Sequence, residues 1–268
     1  MLAALLAALA AALPVQAASV PLPSSMAATG DSITRAFDVT LGCLLRDCPR
    51  YSWSTGSDTT VFSQYQRIAA HNPSITSHVF NDAKSGAQMS DLDRQLTAAA
   101  GQHVQYVTVL LGANDLCTSS AASMTPTATF QAQLDQALKD FYRADPAAHL
   151  YLSSLPNLYQ LWSLLHNNPA AVSTWTAFNI CQSMLSVNNT EADRQLVVAQ
   201  EQAYDQVLAS ECAKAVSFGR DCLWDNLAGY GYQFTADQIS TIDYFHPNIA
   251  GQNAVAQVTW SAGYWPGL

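Results

Sequence analysis

The clearest strand signal in the chain is VQYVTVLL, from Val104 to Leu111. It is rich in β-branched residues and almost continuously apolar, as suits a central parallel strand covered on both faces. Shorter runs of similar character predict further strands at Ser25–Ala28, His78–Phe80, His149–Leu155 and Val216–Phe218. Between them the apolar positions recur at helical spacing. Phe62, Tyr65, Ile68 and Ala69 mark a helix over Val61–Ala70, and Leu92 and Leu96 one over Ser90–Ala100. Amphipathic stretches follow at Thr127–Arg143 and Glu191–Ala213, and a terminal helix at Asn248–Trp260 has Pro247 at its start. A plausible helix also follows Thr34. Residues 35–60 read as irregular surface structure around a Cys-bounded loop. Residues 158–190, with Leu161, Trp162, Leu164, Leu165, Trp175 and Phe178, read equally as helical core or as an apolar wall or lid over a substrate site. Strands alternating with helices imply a parallel sheet with helices on both faces, which binds ligands at the carboxyl ends of its strands.

Composition narrows this to a globular protein poor in charge, with 49% hydrophobic and 12% charged residues in a chain of 268. That length suits one α/β domain over residues 18–268. The net charge of −9, with only 11 Lys and Arg, argues against a nucleic-acid partner. It also disfavours strong attraction to anionic membranes, while transient apolar contact with a lipid surface stays open. A monomer is expected. Residues 1–17, MLAALLAALAAALPVQA, form an apolar run with a small-residue ending, the pattern of a secretory signal cleaved near Ala17, although no Lys or Arg precedes it.

Six cysteines fit export to an oxidising compartment. Many pairings are open to six cysteines. The expectation adopted is pairing in sequence order: Cys43 with Cys48, Cys117 with Cys181, Cys212 with Cys222. The middle bridge would close a long loop, a contribution of roughly 4 kcal/mol in the chain-entropy account. Zinc is the rival reading, but no C-x-x-C pair occurs, so neither a metal nor another cofactor is expected.

The candidate chemistry lies where strands end. Gly30-Asp31-Ser32 follows the first strand, Gly86 the second, and Gly112-Ala113-Asn114-Asp115 the run from Val104. Three polar groups thus share one rim of the sheet. A serine needs a base, and the base needs a partner that fixes its tautomer. Of the six histidines, five have no carboxylate in a local pattern. His246 differs, standing three residues after Asp243 in Asp243-Tyr244-Phe245-His246-Pro247.

Taken together and in this order, these blocks resemble the SGNH, or GDSL-type, hydrolases over most of the chain, with Ile33 where the family's name has leucine. The resemblance implies a flavodoxin-like, three-layer α/β/α sandwich around a mostly parallel sheet. It also implies a secreted serine esterase with Ser32, His246 and Asp243 as triad, and an oxyanion hole from the N–H groups of Ser32 and Gly86 and the amide of Asn114. Asp115 would support the loop carrying Asn114. The family spans lipases, phospholipases, thioesterases and carbohydrate acetylesterases. The apolar 158–185 segment and the lack of clustered charge favour a lipid or fatty-acyl ester. Tyr51, Trp53, Tyr159 and Trp162, which can stack on sugar rings, keep a carbohydrate acetyl ester open, as does the third reading of a non-catalytic secreted binding protein.

Overall fold

A computed structural model describes residues 20–268, so the expected signal segment lies outside the described residues. Five parallel strands form one sheet: β1 (Met26–Gly30), β2 (Val79–Asn81), β3 (Tyr106–Leu110), β4 (His149–Leu152) and β5 (Cys222–Trp224), in the order β2-β1-β3-β4-β5. The chain leaves β1 in one direction for β2 and returns to its other side for β3. Their carboxyl ends therefore flank a topological switch point, where such sheets bind ligands.

The helices are α1 (Gln64–His71), α2 (Leu92–Gly101), α3 (Ala113–Leu116), α4 (Thr127–Ala144), α5 (Leu158–Leu165), α6 (Pro169–Ala177), α7 (Gln182–Leu185), α8 (Glu191–Ser217), α9 (Ala228–Gly231) and α10 (Ile249–Ser261). Polar residues set several of their starts. Ser63 and Gln66 form a reciprocal capping box on α1, Thr190 and Asp193 another on α8, and Asn248 accepts from Gly251 N–H at the start of α10. Alternation along the strands separates two cores. Met26, Tyr106 and Tyr151 face Ile68 of α1 and Trp260 of α10, while Ala27, Val107 and Leu150 belong to the larger core with α2, α4 and α8. Helices thus cover both faces of the sheet, the three-layer arrangement expected.

Three expectations need correcting. Ser32–Asp38 is a run of turns rather than a helix, since Ala36 and Asp38 both take φ of 51° and leave the right-handed region. Residues 51–54 are irregular but not superficial. Trp53 is fully buried, with its backbone N–H on Gln252 Oε1 (2.9 Å), and Ser54 Oγ meets Thr108 Oγ1 at 2.7 Å. Val216 and Ser217 end α8 and Phe218 caps it, with both apolar side chains largely in solvent, and the last strand is Cys222–Trp224. Cys212 of α8 is bonded to Cys222 at the start of that strand. The bridges Cys43–Cys48 and Cys117–Cys181 complete the pairing in sequence order.

Buried carboxyl groups hold the loop that leaves β4. Beyond Ser153, whose N–H still pairs with Val109 of β3, acids collect the N–H groups up to the start of α5: Ser154 donates to Asp225 (2.9 Å), Leu155 to Asp205 (3.0 Å) and Leu158 to Glu201 (3.2 Å). Burial pushes Asp205 up to about 8 and Glu201 well above the usual carboxylate range. Both acids therefore hold their protons more tightly folded than unfolded, and this contribution to stability falls as pH rises from about 4 towards about 8. The melting temperature should be higher at about pH 5 than at about pH 8, with a smaller difference in Asp205→Asn. Calorimetry at the two pH values checks this, and an unchanged difference in the variant would contradict it.

Candidate active site

Ser32 lies two residues beyond the carboxyl end of β1. Gly30 makes the exit from that strand possible: its φ is +143°, and a β-carbon there would lie 2.4 Å from Leu110 O. Gln95 of α2 clamps the same glycine, accepting from its N–H (2.7 Å) and donating to its carbonyl (2.9 Å). The loop before α10 supplies the partners. Ser32 Oγ lies 2.7 Å from His246 Nε2, and His246 Nδ1 lies 2.5 Å from Asp243 Oδ2. The other oxygen of Asp243 accepts from the N–H groups of Phe245 (2.9 Å) and His246 (3.0 Å), which fixes the carboxylate beneath the ring.

This loop is held from two sides. Ser240 and His246 are joined through the backbone, and Ser240 Oγ donates to Asp38 O at 2.6 Å. Tyr244, at φ of 57°, offers its carbonyl to Trp175 Nε1 of α6 at 3.0 Å. The contact gives Trp175 a placing function besides its burial in the core.

The electrostatics favour an ion-pair character. Burial works to raise Asp243, yet the His246 hydrogen bond, its charge and the two N–H donors outweigh it and hold the carboxyl below its usual range. Burial likewise works to lower His246, but Asp243 and the nearby charges of Asp31 and Asp38 raise it above its ordinary value. Asp31 itself is fully buried. Burial pushes it up to about 6, and one of its oxygens has no hydrogen-bond partner among the described residues.

Three donors belong to residues that line the same cleft as the histidine. The N–H groups of Ser32 and Gly86 reach no acceptor among the described residues, and Gly86 sits at φ of +79° in an exposed turn. Asn114, at the start of α3, donates one amide hydrogen to Ala87 O (2.9 Å), which leaves the other for a ligand. Asp115 is buried beneath it, accepting from Met89 N–H and Thr125 Oγ1, both at 2.8 Å, so its place is that of a support, as expected. Preorganised donors of this kind stabilise negative charge as it develops on an acyl-transfer intermediate.

Ser32, Gly86, Asn114, Asp243 and His246 all line one cleft of about 490 Å³. Its lining is largely apolar, with Phe37, Leu44, Leu45, Phe178, Ile180, Ile242 and Phe245, and also takes in Asp38, Ser85 and Asn179. The Cys117–Cys181 bridge joins the segment after Asn114 to the wall carrying Phe178 and Ile180. Both readings of 158–190 therefore hold in part. Leu161, Leu165 and Trp175 are core, whereas residues 178–181 are wall.

The residues proposed for sugar stacking are not in the cleft. Trp53 and Tyr51 are buried, and Trp162 packs against His166 (4.4 Å), the Arg194 guanidinium (4.3 Å) and the tilted ring of Tyr159. Asp38, Leu44, Leu45 and Ile242 had no signature in the sequence, since only the folded loops bring them to the serine. A histidine other than His246 also has a carboxylate: His149 is bonded to Asp221 (2.5 Å), a partner 72 residues away that no local pattern displays.

Residues 28–254 match the GDSL-like Lipase/Acylhydrolase family. No curated protein matches the chain. Solved structures of similar fold include a catalytic mutant of an acetylxylan esterase from Geobacillus stearothermophilus, with a TM-score of 0.53 and 14% identity over 89% of this chain and 93% of that one. They also include an extracellular lipase from Streptomyces rimosus (0.50, 20%, 89% and 99%) and a family 3 carbohydrate esterase from Clostridium thermocellum (0.50, 13%, 88% and 93%). At these identities the likeness is one of fold. The family match runs from within β1 to the middle of α10 and takes in both the serine turn and the histidine loop, so the chain belongs to the GDSL-like lipase/acylhydrolase family and is a carboxylic ester hydrolase.

Proposed function

We propose that the chain is a serine esterase acting through a covalent acyl-enzyme, with fatty-acyl esters as its substrates. Ser32 Oγ attacks the ester carbonyl while His246 Nε2 takes the hydroxyl proton and Asp243 steadies the charged ring. The carbonyl oxygen becomes an oxyanion held by the N–H groups of Ser32 and Gly86 and the amide of Asn114. As the intermediate collapses, the bond to the alcohol oxygen breaks and His246 gives that oxygen the proton. Water then attacks the acyl carbon with His246 again as base, releasing the acid and restoring Ser32.

The observation that carries the substrate class is the wall of the cleft. Phe37, Leu44, Leu45, Phe178 and Ile180 give the cleft that holds the serine a largely apolar lining, an environment that suits an alkyl chain. A second reading, hydrolysis of carbohydrate acetyl esters, is favoured by the activities named for two of the similar folds, an acetylxylan esterase and a family 3 carbohydrate esterase. Rates across nitrophenyl esters from acetyl to palmitoyl separate the two. The expected result is an optimum at a medium or long chain. An optimum at acetyl, with turnover of acetylated xylan, would replace the fatty-acyl reading by the carbohydrate one.

We also infer export, with residues 18–268 as the mature catalytic domain. Three disulfides among the described residues support an oxidising destination.

A further inference from the structure

We propose that the mouth of the cleft is a docking surface for a zwitterionic lipid aggregate, made by Leu41, Leu44 and Leu45 on one bank and Phe178 on the other. The proposal rests on the fatty-acyl reading and adds to it where the enzyme meets its substrate.

Four large apolar side chains around one opening stand largely in water: Leu41 is 79% exposed, Leu44 56%, Leu45 68% and Phe178 68%. Leu44, Leu45 and Phe178 line the cleft that holds Ser32. Leu41 belongs to the same turn, its carbonyl accepting from Leu44 N–H. Contiguous exposed apolar residues mark contact sites more often than isolated ones do.

Both segments are tied in place. The leucine turn is closed by Cys43–Cys48, with Cys43 buried, and Leu45 N–H is tied to the side chain of Asp38. The Phe178 bank is closed by Cys117–Cys181, and Phe178 N–H is bonded to Thr174 O at 3.0 Å. The chain thus uses two of its three bridges to hold apolar side chains out in solvent, an arrangement that stabilises contact with an apolar phase.

Charge selects among such phases. The net charge of −9 repels anionic surfaces, yet the residues beside the patch are the exposed cations Arg46 and Lys84. Of the neighbouring acids, Asp47 is paired with Arg35 at 2.9 Å and Asp38 is buried beneath the leucine turn. A surface with apolar tails below and phosphate groups at headgroup level, but no net charge, matches this distribution. Docked in this way, the cleft would open directly onto the acyl chains it cleaves.

The test is flotation with phosphatidylcholine vesicles, using Ser32→Ala so that the vesicles are not hydrolysed. The protein should float with the vesicles, and high salt should not release it. Adding Leu41→Ser, Leu44→Ser and Leu45→Ser should lower the bound fraction about tenfold or more. Phe178→Ser, on the opposite bank, should lower it independently, and melting curves establish that each variant is folded. Equal flotation of folded variants, or no flotation of the parent, overturns the proposal. A concentration-dependent doubling of mass without vesicles, lost in the leucine variant, also overturns it by making the patch a contact between copies. Turnover of water-soluble medium-chain nitrophenyl esters by the wild-type chain reports separately on the fatty-acyl reading. Turnover without flotation rejects docking alone, while an acetyl optimum rejects the substrate reading.

Discussion

Replacing Ser32 by alanine should lower turnover of any ester by about a millionfold, to the residual rate that binding and oxyanion stabilisation alone provide. The fold should survive. Ser32 Oγ bonds to His246 Nε2, while the turn around it is held by other groups: Ile33 N–H on Asp31 Oδ1 (2.9 Å), Arg35 N–H on Asp31 O (3.1 Å) and Phe37 N–H on Ser32 O (3.0 Å). An unchanged melting curve with lost activity is the expected pair of measurements. The same variant should fail to react with a fluorophosphonate probe that labels the wild type. Activity persisting in purified Ser32→Ala would remove Ser32 as nucleophile and reopen the binding-protein reading for this cleft.

The second large effect separates the other two members of the chain of hydrogen bonds. His246→Ala should cost nearly as much as loss of the serine, because no other base among the described residues is bonded to Oγ. Asp243→Ala should cost roughly one to two orders of magnitude less, since the imidazole remains and loses only its orientation and charge stabilisation. The pH profile tells the two roles apart. His246 acts as base only when neutral and its proton is held more tightly than in a free imidazole, so the acid limb of kcat/KM should lie above about 6.5. Asp243 supplies the principal causes of that upward displacement, while burial acts against it. In Asp243→Ala the burial effect should prevail and the limb should move to lower pH. Coincident limbs in the two proteins would argue that Asp243 does not partner His246 during turnover.

What could be read from the sequence follows from where the information is stored. The strands Met26–Gly30 and Tyr106–Leu110 are visible because burial on both faces demands apolar residues in succession. The serine, glycine and asparagine turns are visible because each follows such a strand. The Asp243–His246 pair is visible because its partners are three residues apart. What stayed hidden depends on contacts across the chain. Trp53 is buried among residues distant in sequence, with Gln252, 199 residues away, taking its backbone N–H, and Asp38 joins the site through the positive φ that turns the chain after Ser32. Val216 and Phe218 read as strand because three-residue apolar runs carry no periodicity. The chain spends them on the end of a helix and forms the strand only after the turn at Gly219, where Cys222 is anchored to α8. The cleft walls belong to the same class, since Leu44 and Phe178 lie far apart in sequence and meet at one opening.

The two border strands of the sheet, β2 and β5, are three residues each, and the second begins at a cysteine bridged to the neighbouring helix. A border this short offers a passing chain almost no free hydrogen-bonding template, so the edge-to-edge pairing that starts fibril growth has little to build on. That protection matters for a molecule that wears leucine and phenylalanine around its opening. With one route to precipitation closed by the geometry of the sheet, greasy residues can remain at the mouth without committing the protein to self-association as it accumulates.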